Sequence, residues 1–536
     1  MIPTDSKITD PTPGRGVRWW PALIIVLGGL ARLVFIWRDA DLPRQAQVMS
    51  TGVVTLVVAG LLLLWVMGFS RMRWRSRWSV LGCFVGAVGL ALLVFRFVGV
   101  TGDLVPIFEG RWKRSAASPV GAAQAQVAAV AADTVVTAAT TPGPALPGFS
   151  QFLGDHRDGT VGGVRLLPDW TNHPPRLLWR QPLGSGWGGF AIAGNLALTQ
   201  EQDGPDEVVA CFELQTGRRV WAHRDAARYD NPIGGIGPRA TPTVVSNRVY
   251  ALGATGFLNC LNLADGAVLW STNVVNGRPV SDLGWGLSSS PLVISNRVIV
   301  APLGRQPSAS LMAFRADTGE GVWSGGTAEP HYSSARLETL RGVAQILTFT
   351  GAGVAGHDPG TGAKLWEHPW RGGHPHVADP RVVDPERGEV LVTSGYGTGA
   401  HLIEVAPGAD GKWSVTEVVW RSMRLKSKFA NVILRGPVAY GLDDGRLVCL
   451  DLKEGTRRWD GERYGHGQLL LVGEFLLVTA ENGNVVLVDA APDVFRERTR
   501  FSAVTGKTWN PAAMAGDVLI VRNDREAAAF RLPLQP

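Results

Sequence analysis

The segment CFELQTGRRVW (211–221) decides the fold, because close copies of it return four times along the chain. The copies are CLNLADGAVLW (260–270), AFRADTGEGVW (313–323), GHDPGTGAKLW (356–366) and CLDLKEGTRRW (449–459). In every copy a glycine stands four residues before a tryptophan and follows a short run of strand-forming residues. Thr-Gly and Asp-Gly pairs supply the positive φ that a tight hairpin needs. Each copy therefore predicts a hairpin of two antiparallel strands.

The spacing of the tryptophans predicts a ring of such hairpins. With Trp420 included, they recur at intervals of 39 to 54 residues, which is typical of β-propeller blades. A blade cannot bury both of its faces alone, so blades stack in a closed ring. The turns that follow the innermost strands predict eight blades, with seven as the alternative if the region around Trp413 and Trp420 is irregular.

The final repeat ends after its third strand, which leaves one outer strand to be supplied from elsewhere. The segment RLLWRQPL (176–183) can supply it, and this would remove an open sheet edge. The predicted blade-closing tryptophans are Trp179, Trp221, Trp270, Trp323, Trp366, Trp420 and Trp459.

Three long apolar runs precede the repeats and predict membrane spans at 19–37, 47–69 and 79–98. Each is close to the ~20 residues that a helix needs to cross a bilayer, although a buried amphipathic hairpin is an alternative for the first. Four arginines within 70–78 predict that this loop stays in the cytoplasm. Residues 1–18 are then a cytoplasmic tail, and the chain leaves the third span on the periplasmic side of the inner membrane.

Residues 99–148 are predicted as a juxtamembrane segment and a linker, and residues 149–536 as the propeller. From 115 to 148 the chain has almost no charge and is rich in Ala, Thr, Pro and Gly, a composition that cannot build a core. The net charge of +6 owes something to the arginine-rich loop, so we do not expect nucleic-acid binding.

The repeat resembles the tryptophan-docking repeat of the PQQ-like (pyrroloquinoline quinone repeat) propeller family, within the quinoprotein alcohol dehydrogenase-like superfamily. Three stretches are similar to membrane-anchored bacterial members of largely unassigned function: FSQFLGDHRDG (149–159), YGHGQLLLVGEFLLVTAENGNVVLVDA (464–490) and TWNPAAMAGDVLIVRNDREAAAF (508–530). The resemblance implies an all-β, eight-bladed propeller after the helical region. It leaves activity open, because a fold does not fix a function.

Some members of the superfamily are membrane dehydrogenases that use PQQ, so the resemblance raises an enzyme as an alternative. PQQ would need cations, a stacking face and usually a Ca²⁺ ion held by oxygen ligands. Many of these enzymes stack the quinone on a disulfide between adjacent cysteines, and no two cysteines are adjacent here. Cys211, Cys260 and Cys449 share one register in separate blades, so we expect small core residues rather than disulfide partners. We expect no cofactor, with PQQ and Ca²⁺ as the alternative.

A second register, eight residues before each inner turn, is predicted to ring one mouth of the central channel. It holds cationic and aromatic residues and no carboxylate, which suits an anionic or ring-bearing ligand, including a saccharide. Alternatively, these side chains tie neighbouring blade loops together. The candidate ligand-binding residues are Trp187, Arg239, Trp285, Arg336, His376, Lys428, His466 and Trp509, with Ser288 and Ser334 in the same register.

No metal site and no catalytic residue is predicted. His374 and His376 form a pair, but the spacing places no third ligand beside them. The sequence therefore predicts a binding or scaffolding module held outside the inner membrane, with a protein or an anionic or saccharide ligand on the propeller face. The alternative is a PQQ-dependent quinoprotein dehydrogenase that oxidises a sugar or an alcohol.

Overall fold

The structure is a computed structural model, and it describes residues 16–39, 42–112, 148–275, 284–303 and 308–536. The chain divides into two compact units, Met1–Ser115 and Ala116–Pro536, and each is described by itself. Most of the predicted cytoplasmic tail and nearly all of the predicted linker lie outside the described residues.

The first unit contains three helices that are long and apolar enough to cross a membrane: Trp20–Arg38, Arg44–Phe69 and Trp74–Val94. The second helix is α-helical over Arg44–Leu64 and finishes in a π-helical turn, Trp65–Phe69. Their number and order agree with the three predicted spans.

The boundaries of the third span differ from the prediction at both ends. The helix begins at Trp74, because arginine and tryptophan are compatible with a helical first turn, so Arg75 and Arg77 lie within it. It ends at Val94, and the last four residues predicted as helix belong to the strand Phe95–Val100. Four of its six residues are Phe or Val, and aromatic and β-branched residues favour strands.

The strand Phe95–Val100 pairs antiparallel with Pro106–Gly110. Arg96 and Glu109 lie opposite each other and form an ion pair of 3.3 Å. Part of the segment predicted only as juxtamembrane chain is therefore a β-hairpin.

In the described part of the second unit, eight sheets form the blades, each with four antiparallel strands, and one of them carries an additional short parallel strand. This confirms the predicted propeller. In order from blade 1 to blade 8, the innermost strands are Ala191–Ala193, Thr243–Val245, Leu292–Ile294, Arg336–Leu340, Arg381–Asp384, Ile433–Arg435, Gln468–Val472 and Ala513–Ala515. The second strands are Leu196–Asp203, Arg248–Leu252, Arg297–Val300, Val343–Phe349, Glu389–Ser394, Val438–Asp443, Phe475–Thr479 and Val518–Arg522.

In blades 1 to 7 the two outer strands form the hairpin that the repeat predicts. The third strands are Asp206–Glu213, Phe257–Asn262, Leu311–Arg315, Gly353–His357, Gly399–Pro407, Arg446–Asp451, Asn484–Asp489 and Glu526–Arg531. The outermost strands are Arg219–Asp225, Val268–Asn273, Gly321–Gly325, Lys364–Pro369, Trp413–Ser422, Arg457–Arg463, Glu497–Ser502 and Arg176–Pro182.

Blade 8 joins the two ends of the propeller, as predicted. Its outermost strand, Arg176–Pro182, precedes blade 1 in the chain and pairs antiparallel with Glu526–Arg531, with Trp179 opposite Ala529. Blade 5 is the irregular blade: its outer hairpin, Gly399–Pro407 with Trp413–Ser422, is long and contains register shifts. It nevertheless keeps four strands, which excludes the seven-blade alternative.

The repeat tryptophan of one blade packs on the repeat glycine of the next. Trp221 of blade 1 donates its indole N–H to Leu263 O at 2.9 Å, and a Cβ atom on Gly266 of blade 2 would lie 2.5 Å from the indole. Trp270 makes the same contacts with Ala316 O, at 3.0 Å, and with Gly319 of blade 3. The tryptophans that donate to a main-chain carbonyl of the following blade are Trp179, Trp221, Trp270, Trp420 and Trp459.

Two predicted blade-closing tryptophans depart from this contact. Trp366 donates to the side chain of Gln345 in its own blade, at 2.7 Å. The indole N–H of Trp323 has no acceptor among the described residues, although its ring contacts Gly362. The contact with a glycine and the indole hydrogen bond are thus not always made together.

Residues 149–161, which we name the channel segment, run against the innermost strands. Phe149 bridges Ile192 of blade 1, and Ser150 O accepts the N–H of Val244 of blade 2 at 2.7 Å. Thr160–Val161 pairs in parallel with the innermost strand of blade 7. The stretch FSQFLGDHRDG, which carried part of the family resemblance, therefore belongs to the centre of the ring.

The contact between tryptophan and glycine can be tested with a matched pair of alanine substitutions. Gly266 has φ +73° and lies under Trp221, whereas Gly204 has φ +57° and open space around it. We expect Gly204→Ala to lose only the left-handed backbone preference, about 1–2 kcal/mol. Gly266→Ala should lose roughly 1–3 kcal/mol more, because the added methyl group displaces the indole.

Urea unfolding of the full-length protein in detergent, followed by tryptophan fluorescence, measures both losses. Equal losses for the two variants would show that the indole does not dock on this glycine.

Candidate functional site

The candidate site lies at the mouth of the channel, which we define as the opening where the innermost strands begin. Because the second strand of each blade runs antiparallel to the first, the turns between second and third strands lie on the same face. The mouth is therefore formed by two sets of loops. One set leads into the innermost strands, and the other set connects the second strands to the third strands.

A belt of hydrogen bonds joins blades 1 to 6 just inside the mouth. In each of blades 1 to 5, a main-chain N–H before the innermost strand bonds to a short polar side chain of the next blade. Buried N–H groups need an acceptor, and the neighbouring blade provides one. The bonds are Gly189 N to Thr241 Oγ1 (2.9 Å), Thr241 N to Ser290 Oγ (3.0 Å), Ser290 N to Ser334 Oγ (2.9 Å), Ser334 N to Asp379 Oδ1 (2.8 Å) and Asp379 N to Asn431 Oδ1 (2.7 Å).

The belt corrects the predicted position of blade 4 in the register. Its innermost strand, Arg336–Leu340, has five residues, whereas that of blade 3 has three. Counting eight residues back from the turn therefore arrives two residues too deep in the channel. Ser334 lies in the belt, and Tyr332 takes the mouth position.

Arg336 likewise does not belong to the mouth. Its guanidinium bonds to Glu338, with 2.8 Å between Nε and Oε1, and donates to the main-chain carbonyl of Arg157 in the channel segment. The same two-residue offset explains this misplacement. Arg336 is a buried contact between blade 4 and the channel segment.

Three of the predicted site residues do come together, with one aromatic residue that the sequence did not indicate. The ring centroids of Trp187 and Trp509 lie 5.0 Å apart, Trp509 and Phe429 also 5.0 Å, and Phe429 and His466 5.4 Å. We call these four residues the aromatic cluster. Phe429 stands two residues before Asn431 of the belt, so the belt spacing would have identified it.

Two lysines lie over the faces of aromatic rings in the mouth. Lys507 Nζ is 4.7 Å from the ring centroid of Trp187 and 4.2 Å from that of Trp509. Lys428, which was predicted, lies over Tyr396 at 4.5 Å. Cations bind favourably over such faces, and burial lowers the pKa of Lys507. Lys507 escaped prediction because it lies outside the register that was followed.

The mouth also contains carboxylates, so the expectation of a purely cationic and aromatic ring was incomplete. Glu481 accepts the indole N–H of Trp509 at 2.8 Å and the main-chain N–H of His466 at 3.0 Å. Burial raises the pKa of Asp444 and of Asp524. All three come from turns between second and third strands, which belong to another register. The mouth is therefore of mixed charge.

Arg239 is committed to the loops around it. Its Nη1 donates to Gly237 O at 3.2 Å, and its Nη2 donates to Gly234 O at 3.0 Å and Gly235 O at 3.2 Å. Its Nε donates to the main-chain carbonyl of Trp285, a residue whose ring stacks on Tyr332. This arrangement agrees with the alternative interpretation, in which the side chain ties neighbouring loops together.

The loop that Arg239 holds, residues 229–239, is also fixed from within. Asn231 Oδ1 accepts the N–H groups of Ile233 (3.0 Å) and Gly234 (2.7 Å). Tyr229 donates its hydroxyl to Gly284 O at 2.6 Å. The outcome is a braced loop with Ile233 at its tip, and half of this side chain's surface (50%) is exposed.

The predicted site residue His376 is fully buried and is not open to a ligand. It stacks on Phe349, with 4.2 Å between ring centroids, and its Nδ1 hydrogen-bonds Thr350 O at 2.7 Å. Burial lowers its pKa to about 4. His374 instead stacks on Tyr396. Within the described ranges, no three His, Cys, Asp or Glu side chains converge as a metal site.

The three cysteines of the propeller are free and buried. Each stands opposite the repeat tryptophan of its own blade: Cys211 pairs with Trp221, Cys260 with Trp270 and Cys449 with Trp459. They occupy separate blades as small core residues.

The fold and repeat are shared with a known family. The sequence profile of the family described as outer membrane protein assembly factor BamB, a PQQ-repeat family, matches residues 111–284 and again residues 205–461. These matches together cover well over half of the chain, which therefore belongs to this family of PQQ-repeat propellers.

Two BamB proteins are similar in sequence. The protein from Bordetella pertussis is 23% identical over 395 residues, covering 65% of this chain and 94% of the relative. The protein from Shewanella oneidensis is 25% identical over 291 residues, covering 49% of this chain and 66%, just under two thirds, of the relative.

Solved structures of similar fold include BamB from Moraxella catarrhalis, with 16% identity and a TM-score of 0.46 over 66% of this chain and 98% of that one. They also include the quinohemoprotein alcohol dehydrogenase ADHIIG from Pseudomonas putida HK5, with 12% identity and a TM-score of 0.48 over 73% of this chain and 81% of that one.

The bracing role of Arg239 leads to a stability prediction. We expect Arg239→Gln to lower the free energy of unfolding by about 2–3 kcal/mol, because several carbonyls lose a charged donor. Arg228→Gln is the matched control on the adjoining chain, since Arg228 is more exposed and pairs with Asp230, and exposed pairs contribute at most about 1 kcal/mol. Thermal and urea unfolding check both values. A loss no larger for Arg239→Gln than for Arg228→Gln would contradict the bracing role.

Proposed function

We propose that this protein is a membrane-anchored scaffold whose propeller binds a protein partner through the mouth face, outside the cytoplasm. The observation that carries the proposal is the braced loop with Ile233 at its tip. A half-exposed apolar side chain on a loop fixed by Arg239, Tyr229 and Asn231 is preorganised for contact with another protein. Preorganisation of this kind lowers the ordering entropy that binding costs.

The charge pattern of the mouth favours a protein surface over a small free anion. Arg239 already donates to main-chain carbonyls, and Glu481 already accepts from Trp509 and His466. A protein surface with an apolar centre and a polar rim matches the combination of Ile233 with these mixed charges. The family relationship supports the same reading, since the relatives are named as assembly factors.

A PQQ-dependent dehydrogenase remains the alternative function. Among the described residues, no three His, Cys, Asp or Glu side chains converge on a metal position, and the buried cysteines lie in different blades. These observations give no support for a PQQ site with Ca²⁺, so we propose binding without this cofactor. Tight uptake of added PQQ and Ca²⁺, with dye reduction by alcohols or sugars, would favour the enzyme instead.

Site-specific photo-crosslinking in intact membranes tests the binding face. We expect a crosslinker at position 233 to give a discrete protein adduct, because this side chain lies at the tip of the braced loop. A crosslinker at Leu269, which is similarly exposed (44%) on the outermost strand of blade 2, is the control and should give none. Adducts of equal yield and pattern at both positions, or none at position 233, would count against the mouth face.

The arginines between the second and third helices support the proposed location of the propeller outside the cytoplasm. Arg71, Arg73, Arg75 and Arg77 all lie at the junction of the second and third helices, and positive junctions stay in the cytoplasm. We expect alkaline phosphatase fused after Gly148 to be active and the same fusion after Ser70 to be inactive. The reverse pattern would place the propeller in the cytoplasm and end the proposal of an extracytoplasmic scaffold.

A further inference from the structure

A cavity of about 570 Å³ lies inside the channel, on the side of the belt away from the mouth. Its walls come from two sources: the channel segment, including His156 and Arg157, and the innermost strands of blades 3 to 6, including Leu337 and Arg381. Neither the repeat nor the family resemblance pointed to it.

Arg381 is the cavity-lining residue with unused binding capacity. It is 93% buried, with 7% of its surface exposed. Its Nη1 donates to Asp158 O at 3.2 Å and to Val432 O at 2.9 Å. Within the described ranges its Nε and Nη2 meet no acceptor, and neither atom is sealed from solvent. Nε and Nη2 lie on one edge of the guanidinium, and such an edge can donate two parallel hydrogen bonds to the two oxygens of an oxyanion.

The other guanidiniums near the cavity are bonded to the protein, except for Arg157 Nε, which has no partner among the described residues and is sealed from solvent. Arg157 donates to Ser290 O and Pro291 O, both at 3.0 Å, and Arg336 is paired with Glu338. Arg157 and Arg336 are both buried. Burial lowers the pKa of Arg157, and that of Arg381, to about 10. Three of the five N–H donors of the Arg381 guanidinium, those on Nε and Nη2, thus have no acceptor among the described residues.

The carboxylates that line the cavity are also committed, and none bonds Arg381. Asp155 accepts the N–H of Ser150 at 2.9 Å, Asp158 accepts the N–H of Thr160 at 2.8 Å, and Glu338 accepts from Arg336.

Behind the cavity, Asp379 is the buried counter-charge. It accepts a belt hydrogen bond at one oxygen, and its Oδ2 has no partner among the described residues. The three guanidiniums of Arg157, Arg336 and Arg381 are accompanied by four carboxylates, but none of these carboxylates hydrogen-bonds Nε or Nη2 of Arg381. A largely buried N–H edge without an acceptor is costly unless a ligand oxygen joins it.

We propose that this cavity is an oxyanion-binding site, in which a carboxylate or phosphate group of a small ligand is held by Nε and Nη2 of Arg381. The channel segment supplies one wall, so the site exists only when residues 149–161 are docked in the ring. It is separate from the mouth, and it does not depend on the proposed scaffold function.

Calorimetric titration of the full-length protein in detergent at low salt tests the site. The probes are succinate, inorganic phosphate and uncharged succinamide. We expect succinate or phosphate to bind with a Kd of about 1 mM or tighter and succinamide not to bind. The tighter of the two anions then identifies the group, a carboxylate or a phosphate.

Three variants connect the binding to the cavity. Arg381→Lys keeps the charge but removes the paired N–H edge, and we expect at least about tenfold weaker binding. Leu337→Trp fills the cavity from a partly exposed position without touching a charge, and it should block binding with little change in melting temperature. Arg435→Lys is the control, because Arg435 is committed to Glu474 and Ala490 O, and it should bind like the parent.

Two outcomes would overturn the proposal. The first is that neither anion binds the parent protein. The second is that both anions bind Arg381→Lys and Leu337→Trp as well as they bind the parent. If Arg381→Lys fails to fold, Leu337→Trp still decides the question, since it leaves every hydrogen bond of Arg381 in place.

Discussion

The contact on which the ring depends is a tryptophan of one blade lying over a glycine of the next. The glycine must adopt positive φ to turn the hairpin, and it must lack a side chain so that the indole can approach. One residue thus satisfies a local and a tertiary requirement together. This double requirement explains why glycine and tryptophan keep a fixed spacing while most positions between them vary.

Features of the fold that follow from this repeated motif could be predicted from the sequence, and features that depend on other parts of the ring could not. The number of blades, the closing strand and the packing tryptophans follow from a local motif that repeats. The position of Arg336 does not, because it depends on the length of one strand, and a two-residue difference moves a side chain from the mouth to the interior. Lys507 and Phe429 were missed because they lie outside the register that was used for the prediction. The channel segment was missed because its contacts are spread around the ring.

The two ends of the channel handle buried charge differently. At the mouth, Arg239 donates to main-chain carbonyls and holds a loop in place. Below the belt, Arg157 of the channel segment donates to blade 3, and Arg336 of blade 4 donates to the channel segment. Arg381 uses only Nη1 and keeps the rest of its guanidinium free. Sequence alone cannot separate these cases, because an arginine that braces a loop and one that awaits a ligand have the same side chain. Only the acceptors around each guanidinium distinguish them.

Blade 8 combines Arg176–Pro182, which precedes blade 1, with the last three strands of the chain. This arrangement has a consequence for the order in which the propeller can fold. Synthesis from the N-terminus produces Arg176–Pro182 early, yet its partner strand, Glu526–Arg531, is made only after the strands of the other seven blades. Until then the growing structure is an open arc with an unpaired edge at each end. The interval between the two strands is therefore the time in which a chaperone, or a neighbouring chain, has access to those edges.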